Sequence, residues 1–415
     1  MKLYHNIGKL YTPRGFAAAR GSAMGEIEEI ENAVILVRDD GTIEYVGQPP
    51  PVPLLEKEGE VESIDCRGLI ALPGFVDSHT HCVFAGERSL EFAMRAEGKP
   101  YQDIARMGGG ILSSVQHVHS ASIDNIVAYS KPFVERALSL GTTTMEIKSG
   151  YGLRAEEERK LLEAAKRLGE ETPMEIIKTY LGAHAVPQNV PQVDYVLEVL
   201  EKQLPALHTM AEFCDVFMDE GYFSKEETIQ ICSRAKAFGM KIKLHADELA
   251  ETGGAATAVE LGAYSADHLL KISEDGIRAL AESERTVATL LPITALSLRV
   301  GYAPARKLIE AGCAVAIATD CNPGSAMSEN MQFALTLAVI GMQMSPMEAL
   351  TAATLNGAAA LGRAETHGSI ERNKLADFVL YDIPRLEYLP YHIAVSDVVA
   401  VIKGGKIVEA CSRGF

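Results

Sequence analysis

The chain has 415 residues, 47% of them hydrophobic and 23% charged, a balance that suits a buried core and excludes a disordered chain. A formal net charge of -17 sets the molecule against phosphate backbones and anionic membranes, so nucleic acid is not an expected partner. No run approaches the ~18 uncharged apolar residues of a membrane span, and the opening MKLYHNIGKLYTPRG lacks a secretory apolar stretch; no membrane association and a cytoplasmic location are the default expectations.

Seven cysteines, Cys66, Cys82, Cys214, Cys232, Cys313, Cys321 and Cys411, are scattered singly with no Cys-x-x-Cys pair, and read as reduced thiols. Cys82 and Cys321 adjoin motifs described below. Neighbouring strand positions face opposite ways, so both are expected to pack rather than react.

In chain order, the stretch to about Arg67 carries short alternating segments, and AVILVRDDGTIEYVG predicts a β-hairpin turning at Asp40-Gly41. Eight apolar segments follow at 69–77, 142–149, 175–184, 213–220, 241–248, 263–269, 286–292 and 314–320. Amphipathic helical patterns such as AEEERKLLEAAKRLG and SKEETIQICSRAKAFG lie between them. This alternation predicts a parallel sheet, and eight units fit an α/β class (β/α)8 TIM-like barrel better than a doubly wound open sheet. Beyond the barrel, ADFVLYD at 376–382 and VVAVIKGGKIVE at 398–409 read as strands, the second turning at Gly404-Gly405. The glycine run at 108–110 lacks the strand-turn-helix setting of a phosphate loop.

A barrel places its chemistry at the C-terminal ends of its strands, and polar residues collect there. The first strand ends in Asp77-Ser78-His79-Thr80-His81, where a period of two puts His79 and His81 on one face, able to grip one ion. His117 and His119 have the same spacing in a helical stretch, where residues two apart do not face each other, so they are assigned to the surface or a helix end. His245 in KLHADE, His268 in SADH and Asp320 in IATDCNPGS extend the constellation. Nitrogen and carboxylate donors suit zinc or iron(II), with a coordination position left for water. Glu248, just past a strand end, is a candidate general base, or else a cap or solvated carboxylate. His268 is a candidate for orienting water or polarising a carbonyl, or is structural.

The run LPGFVDSHTHCVFAGER resembles the metal-binding start of amidohydrolases. TTTMEIKSGYGL, TYLGAHAVP, KLHADEL, SADHL and TDCNPGS resemble imidazolonepropionases in particular, in family order from about 70 to 330. The resemblance implies metal ligands His79, His81, His245 and Asp320 for one metal ion per chain, Zn2+ or Fe2+/Fe3+. It implies substrate contacts from Arg88, Tyr151, His184, Glu248, Asn322, Gly324 and Ser325, with Tyr101 a further one. It implies a composite β-sandwich of 1–68 plus 367–415 beside a barrel of 69–366, and a homodimer.

The implied small-molecule substrate is 4-imidazolone-5-propanoate, whose carboxylate suits the planar fork of Arg88. An ion-bound hydroxide would attack the ring carbonyl, His268 would steady the oxyanion, and Glu248, aided by Asp320, would pass the proton to the leaving nitrogen. Ser325 is a ligand contact rather than a nucleophile. The chain departs from the family pattern at Ile293 and Ala85, which bear on the shape of the barrel mouth. Lys148 and Lys178 raise a carboxylated lysine bridging two metals, against which the resemblance argues. The rival readings are a related amidohydrolase or deaminase acting on a neutral heterocycle, disfavoured by Arg88, and a silent scaffold, disfavoured by the complete ligand set.

Overall fold

The computed structural model describes residues 1–49, 61–99 and 109–410; Tyr101, Gly108 and Cys411 lie outside the described residues. Five strands open the chain: β1 (Lys2–Pro13), β2 (Ile27–Val37), β3 (Ile43–Gly47), β4 (Glu62–Asp65) and β5 (Ile70–Pro73). Eight more follow, β6 (Phe75–Asp77), β7 (Thr142–Lys148), β8 (Glu175–Ala183), β9 (Phe213–Met218), β10 (Lys241–Ala246), β11 (Ser265–His268), β12 (Val287–Leu290) and β13 (Val315–Ile317). The chain closes with β14 (Phe378–Tyr381), β15 (Val398–Lys403) and β16 (Lys406–Ala410).

Strands β6 to β13 pair in sequence order, each ladder parallel, as the eight apolar segments predict. The first and last strands meet just beyond their ends. Asp320 N–H donates to His79 O at 3.0 Å, and His81 N–H to Cys321 O at 2.9 Å. The buried Asp77 carboxylate adds to the join by accepting from Thr319 N–H at 3.0 Å and Thr319 Oγ1 at 2.5 Å. The same contacts that close the barrel therefore bring the first and last strand-end motifs together.

The terminal strands form a second sheet in the order β16-β15-β14-β5-β1-β2-β3, with β4 pairing in parallel with β1. Both expected turns appear, β2 to β3 through Gly41 and β15 to β16 through Gly404 and Gly405, all at positive φ. The expected strand 69–77 divides at Gly74. Its first part, β5, joins β1 and β14 in the terminal sheet, and its second, β6, opens the barrel. A Cβ at Gly74 would stand 2.3–2.9 Å from Thr143 side-chain atoms, so the crossing needs the missing side chain.

The helices follow their patterns. Ala155–Glu171 buries Leu161, Leu162, Ala165 and Leu168 against the barrel and turns its charged face outward. Each buried leucine contributes ~1.5–3 kcal/mol. Lys225–Ala237 starts at a capping box in which Ser224 and Glu227 satisfy each other's N–H groups. At the foot of the barrel, Glu175 of β8 meets His367 at 2.7 Å and Lys403 of β15 at 3.3 Å, tying the two sheets together.

Candidate active site

His79, His81, His245 and Asp320, the four expected ligands, converge at the C-terminal mouth and are buried. Asp320 Oδ1 lies 3.6 Å from His79 Nε2 and 3.5 Å from His81 Nε2. Two donors at ~2.1 Å from one tetrahedral ion stand about 3.4 Å apart, so the spacing suits a shared ion and is too long for a hydrogen bond. Buried His79 Nε2 and His245 Nε2 have no hydrogen-bond partner. Orphaned imidazole nitrogens beside a carboxylate fit a zinc or iron ion. Donor atoms of His79, His245 and His268 also come within 4.8 Å of one another, so His268 stands at the edge of the same nest.

Burial, then the charge of neighbouring groups, holds His79, His81 and His268 well below the usual histidine range, leaving lone pairs free for ligation. At His245 burial is outweighed by the Asp215 carboxylate, and the pKa is raised.

Beneath the nest lies a buried layer of which motif reading had singled out only Lys148. Asp267 Oδ2 is 2.6 Å from His79 Nδ1, and Asp215 Oδ2 is 3.0 Å from His245 Nδ1. Lys148 bridges Asp215 at 2.8 Å, Glu146 at 2.9 Å and Asp267 at 3.7 Å. Burial works against the Lys148 ammonium, but these three carboxylates outweigh it and raise its pKa. A carbamate needs a neutral amine and would set a fresh anion among three carboxylates, which argues against a carboxylated Lys148. Lys178 is only partly buried and interacts with Glu163 and Lys166 of the outer helix layer.

Glu248 forms part of the wall of a cavity of ≈ 310 Å³ at this mouth, with its Oε1 3.6 Å from His268 Nδ1. The nearest following helix begins at Gly254, so Glu248 caps none, and only 11% of its side chain is exposed. Burial, then the Asp320 charge, pushes its carboxyl up to about 8, an acidity suited to exchanging protons near neutrality.

Every expected substrate contact among the described residues lines the cavity: Arg88, Tyr151, His184, Glu248, Asn322, Gly324 and Ser325. Arg88 is held by Glu91, which accepts from Nε at 3.0 Å and Nη2 at 2.7 Å, so half of its fork is engaged before any ligand arrives. Nη1 remains, directed at Gly324, where a Cβ would stand 2.5 Å away. The Asn322 side chain is spent on its own turn: Oδ1 accepts from Gly324 N–H and Ser325 N–H, both at 2.8 Å, and Nδ2 donates to Asp320 O at 2.7 Å. Arg95, missed by motif reading, also lines the cavity and donates to Gly324 O at 2.8 Å.

Tyr151 and His184 share one support. His184 Nδ1 is 3.1 Å from Gly150 O, and burial brings its pKa down to about 3, so the neutral ring presents Nε2 elsewhere. Burial raises the Tyr151 phenol, which stays a donor. His119, on the helix Ile111–Ser120, binds Gly152 O at 2.7 Å while His117 is exposed, so neither helical histidine meets the nest. Cys82 and Cys321 are buried against each other behind the ligand-bearing strand ends, and neither lines the cavity. Ile293 and Ala85 do not line it either.

Residues 70–408 match the amidohydrolase family. The imidazolonepropionase of Syntrophobacter fumaroxidans is 48% identical over 409 residues, 97% of this chain and 96% of that one. The imidazolonepropionase of Clostridium tetani is 45% identical over 407 residues, 97% of each chain. The chain belongs to the amidohydrolase family, among the imidazolonepropionases. Among solved amidohydrolase-like folds, Escherichia coli guanine deaminase superposes with a TM-score of 0.72 at 17% identity, covering 99% of both chains. The atrazine chlorohydrolase of Arthrobacter aurescens, solved with zinc, superposes with a TM-score of 0.69 at 19% identity, covering 98% of this chain and 95% of that one. These likenesses show the fold. Among the described residues of this imidazolonepropionase-family chain, no helix is long and apolar enough to cross a membrane.

Proposed function

We propose that the protein hydrolyses 4-imidazolone-5-propanoate to N-formimidoyl-L-glutamate, as an imidazolonepropionase of histidine breakdown. Arg88, on the wall of the same cavity as the histidine-aspartate nest, is the observation that carries this reading, because a carboxylate-tailed ring needs a fixed cation and a neutral heterocycle does not.

His79, His81, His245 and Asp320 would hold one divalent ion, zinc or iron. When bound, such an ion supplies Lewis acidity and makes water acidic enough to act as a nucleophile near neutral pH. Arg88 binds the propanoate tail through its remaining donors, while Tyr151, the His184 imidazole and Ser325 orient the ring. Water oxygen bonds to the ring carbonyl carbon, and the bond from that carbon to the ring nitrogen breaks. Glu248 takes the water proton and returns it to the leaving nitrogen, and Asp320 shares that transfer. His268 donates to the oxygen that gains negative charge.

The division into a composite β unit and a barrel, expected at 1–68 plus 367–415 and 69–366, belongs to the proposal; a separate apolar cluster including Ile7, Ile35, Phe378 and Ile402 supports it, with the first boundary moved to Gly74 because β5 joins the terminal sheet. A cytoplasmic site is supported by six buried free thiols among the described residues. The homodimer rests on the family resemblance, and sedimentation equilibrium tests it.

The functional test is ultraviolet-monitored loss of freshly generated imidazolone propanoate by metal-replete protein, by chelator-treated protein and by Arg88→Ala. Rapid loss that requires both metal and Arg88 is the expected result. No turnover by metal-replete protein, with turnover of a neutral heterocycle, would replace the reading with the deaminase-like one.

A further inference from the structure

Asp219 follows β9 directly and points its carboxylate at the neighbouring loop that carries Glu248. Oδ2 accepts from Glu248 N–H at 2.8 Å and Leu249 N–H at 2.9 Å, and Oδ1 from Ala250 N–H at 3.1 Å. Successive N–H groups of a strand point to alternate sides, so three that converge on one carboxylate require a backbone curled round it. Asp219 is 4% exposed, which makes those bonds costly to lose to water. The far end of the loop is pinned separately. Asp247, at φ 51°, accepts from Thr252 N–H at 3.0 Å and from Gly254 and Ala255 N–H, both at 2.9 Å.

Glu248 thus stands between two anchors, and the one bonded to its own N–H comes from a different strand. Asp219 contributes nothing to the wall of the active-site cavity, whereas Glu248 does. Asp219 therefore reaches the reaction mainly through the loop it holds, with its charge on the Glu248 carboxyl a lesser route.

We infer that Asp219 is a positioning residue that sets the backbone of Glu248, and with it the direction from which the Glu248 carboxyl reaches the reacting atoms. The inference rests on the proton-transfer role proposed for Glu248. It places part of the control of catalysis on a carboxylate outside the cavity, joined to the site by three main-chain hydrogen bonds. Glu220 N–H also binds Asp219 Oδ1, at 2.8 Å, which orients the carboxylate from its own side.

The test is a double-mutant cycle on the metal-loaded enzyme, combining Asp219→Ala and Asp219→Asn with Glu248→Gln, and reading kcat, KM, metal content and thermal unfolding. Asp219→Ala should lower kcat ~10–100-fold, the scale of an ångström-sized misplacement, with KM within ~3-fold and metal content unchanged. Asp219→Asn, which keeps one acceptor oxygen, should lose less, and it carries the cycle if the alanine variant does not fold. On the Glu248→Gln background the loss should shrink to under ~2-fold, because the group being positioned has gone. Equal losses on both backgrounds, or a wild-type kcat in Asp219→Ala, would overturn the inference alone. Full turnover by metal-loaded Glu248→Gln would overturn both it and the role of Glu248.

Discussion

Asp267 and His79 lie 188 positions apart in the chain and 2.6 Å apart in the fold, carboxylate Oδ2 against imidazole Nδ1. The contact makes Nδ1 the protonated nitrogen, which leaves the Nε2 lone pair directed at the space shared with His81 and Asp320. Asp267 therefore fixes the tautomer and the rotation of one proposed ligand from the side of the ring away from the space an ion would fill. Asp267→Asn should weaken metal affinity ~10–100-fold, measured by chelator competition, while the overall fold is kept. Wild-type affinity in that variant would show that the tautomer is set elsewhere.

Arg88 and Glu91 make a second such pair, at the substrate end of the cavity. Removing the guanidinium loses the tail contact and leaves Glu91, 8% exposed and also bound by Gly110 N–H at 3.1 Å, without its partner. Arg88→Ala should lower kcat/KM by ~100-fold or more, equivalent to about 3 kcal/mol, mainly through KM. Arg88→Lys should restore little, since an ammonium cannot span both Glu91 oxygens and a ligand. Unchanged KM in both variants would move the tail to another cation.

Local spacing made much of this legible. His79 and His81 follow from the strand period, and His245, Asp320 and Glu248 from their places at strand ends. The supporting layer was hidden because it depends on contacts between distant strands and on broken alternation. Asp267 and His268 are neighbours and should face opposite ways, yet both reach the site, because φ at His268 and Leu269 is 78° and 61°. Asp320 reaches the nest with φ of 55° while Thr319 binds Asp77. The first strand falls within the alternating stretch expected before Arg67, but its bounds are not legible for a related reason: Asn6 at φ 55° interrupts the alternation, and the register of β1 against β2 shifts between Tyr4 and Ile7. The split at Gly74 is marked in the sequence only by the Pro73-Gly74 pair inside the apolar run, and its consequence appears when the two halves find different partners.

Glu158 should matter for stability and for Tyr151 together. Its buried carboxylate accepts from Gly150 N–H at 2.8 Å, Gly152 N–H at 2.7 Å and Leu153 N–H at 2.8 Å, which fixes the loop between β7 and the helix that follows. Glu158→Gln turns an amide NH2 toward one of these donors and should cost ~1–3 kcal/mol in urea unfolding. Gly150 O also faces His184, so KM for substrate should rise in the same variant. Loss of stability without a change in KM would confine Glu158 to the fold.

The contact between the two sheets gives a pH-dependent stability. Burial alone would raise the Glu175 carboxyl, but the hydrogen bond from His367, the His367 charge and the Lys403 ammonium carry it down to about 2. In the unfolded chain the same carboxyl titrates near its ordinary 4.5. Between these values the unfolded state binds more protons than the folded one, so this contribution rises with pH. It is complete above the ordinary carboxylate range and fades as pH falls toward 2. With the side chain 28% exposed, its size is on the order of 2 kcal/mol. Glu175→Gln should therefore unfold at lower urea than wild type at neutral pH, and the gap should narrow as the pH is lowered to about 3. A gap that stays constant over that range would mean that Glu175 contributes through packing rather than through its charge.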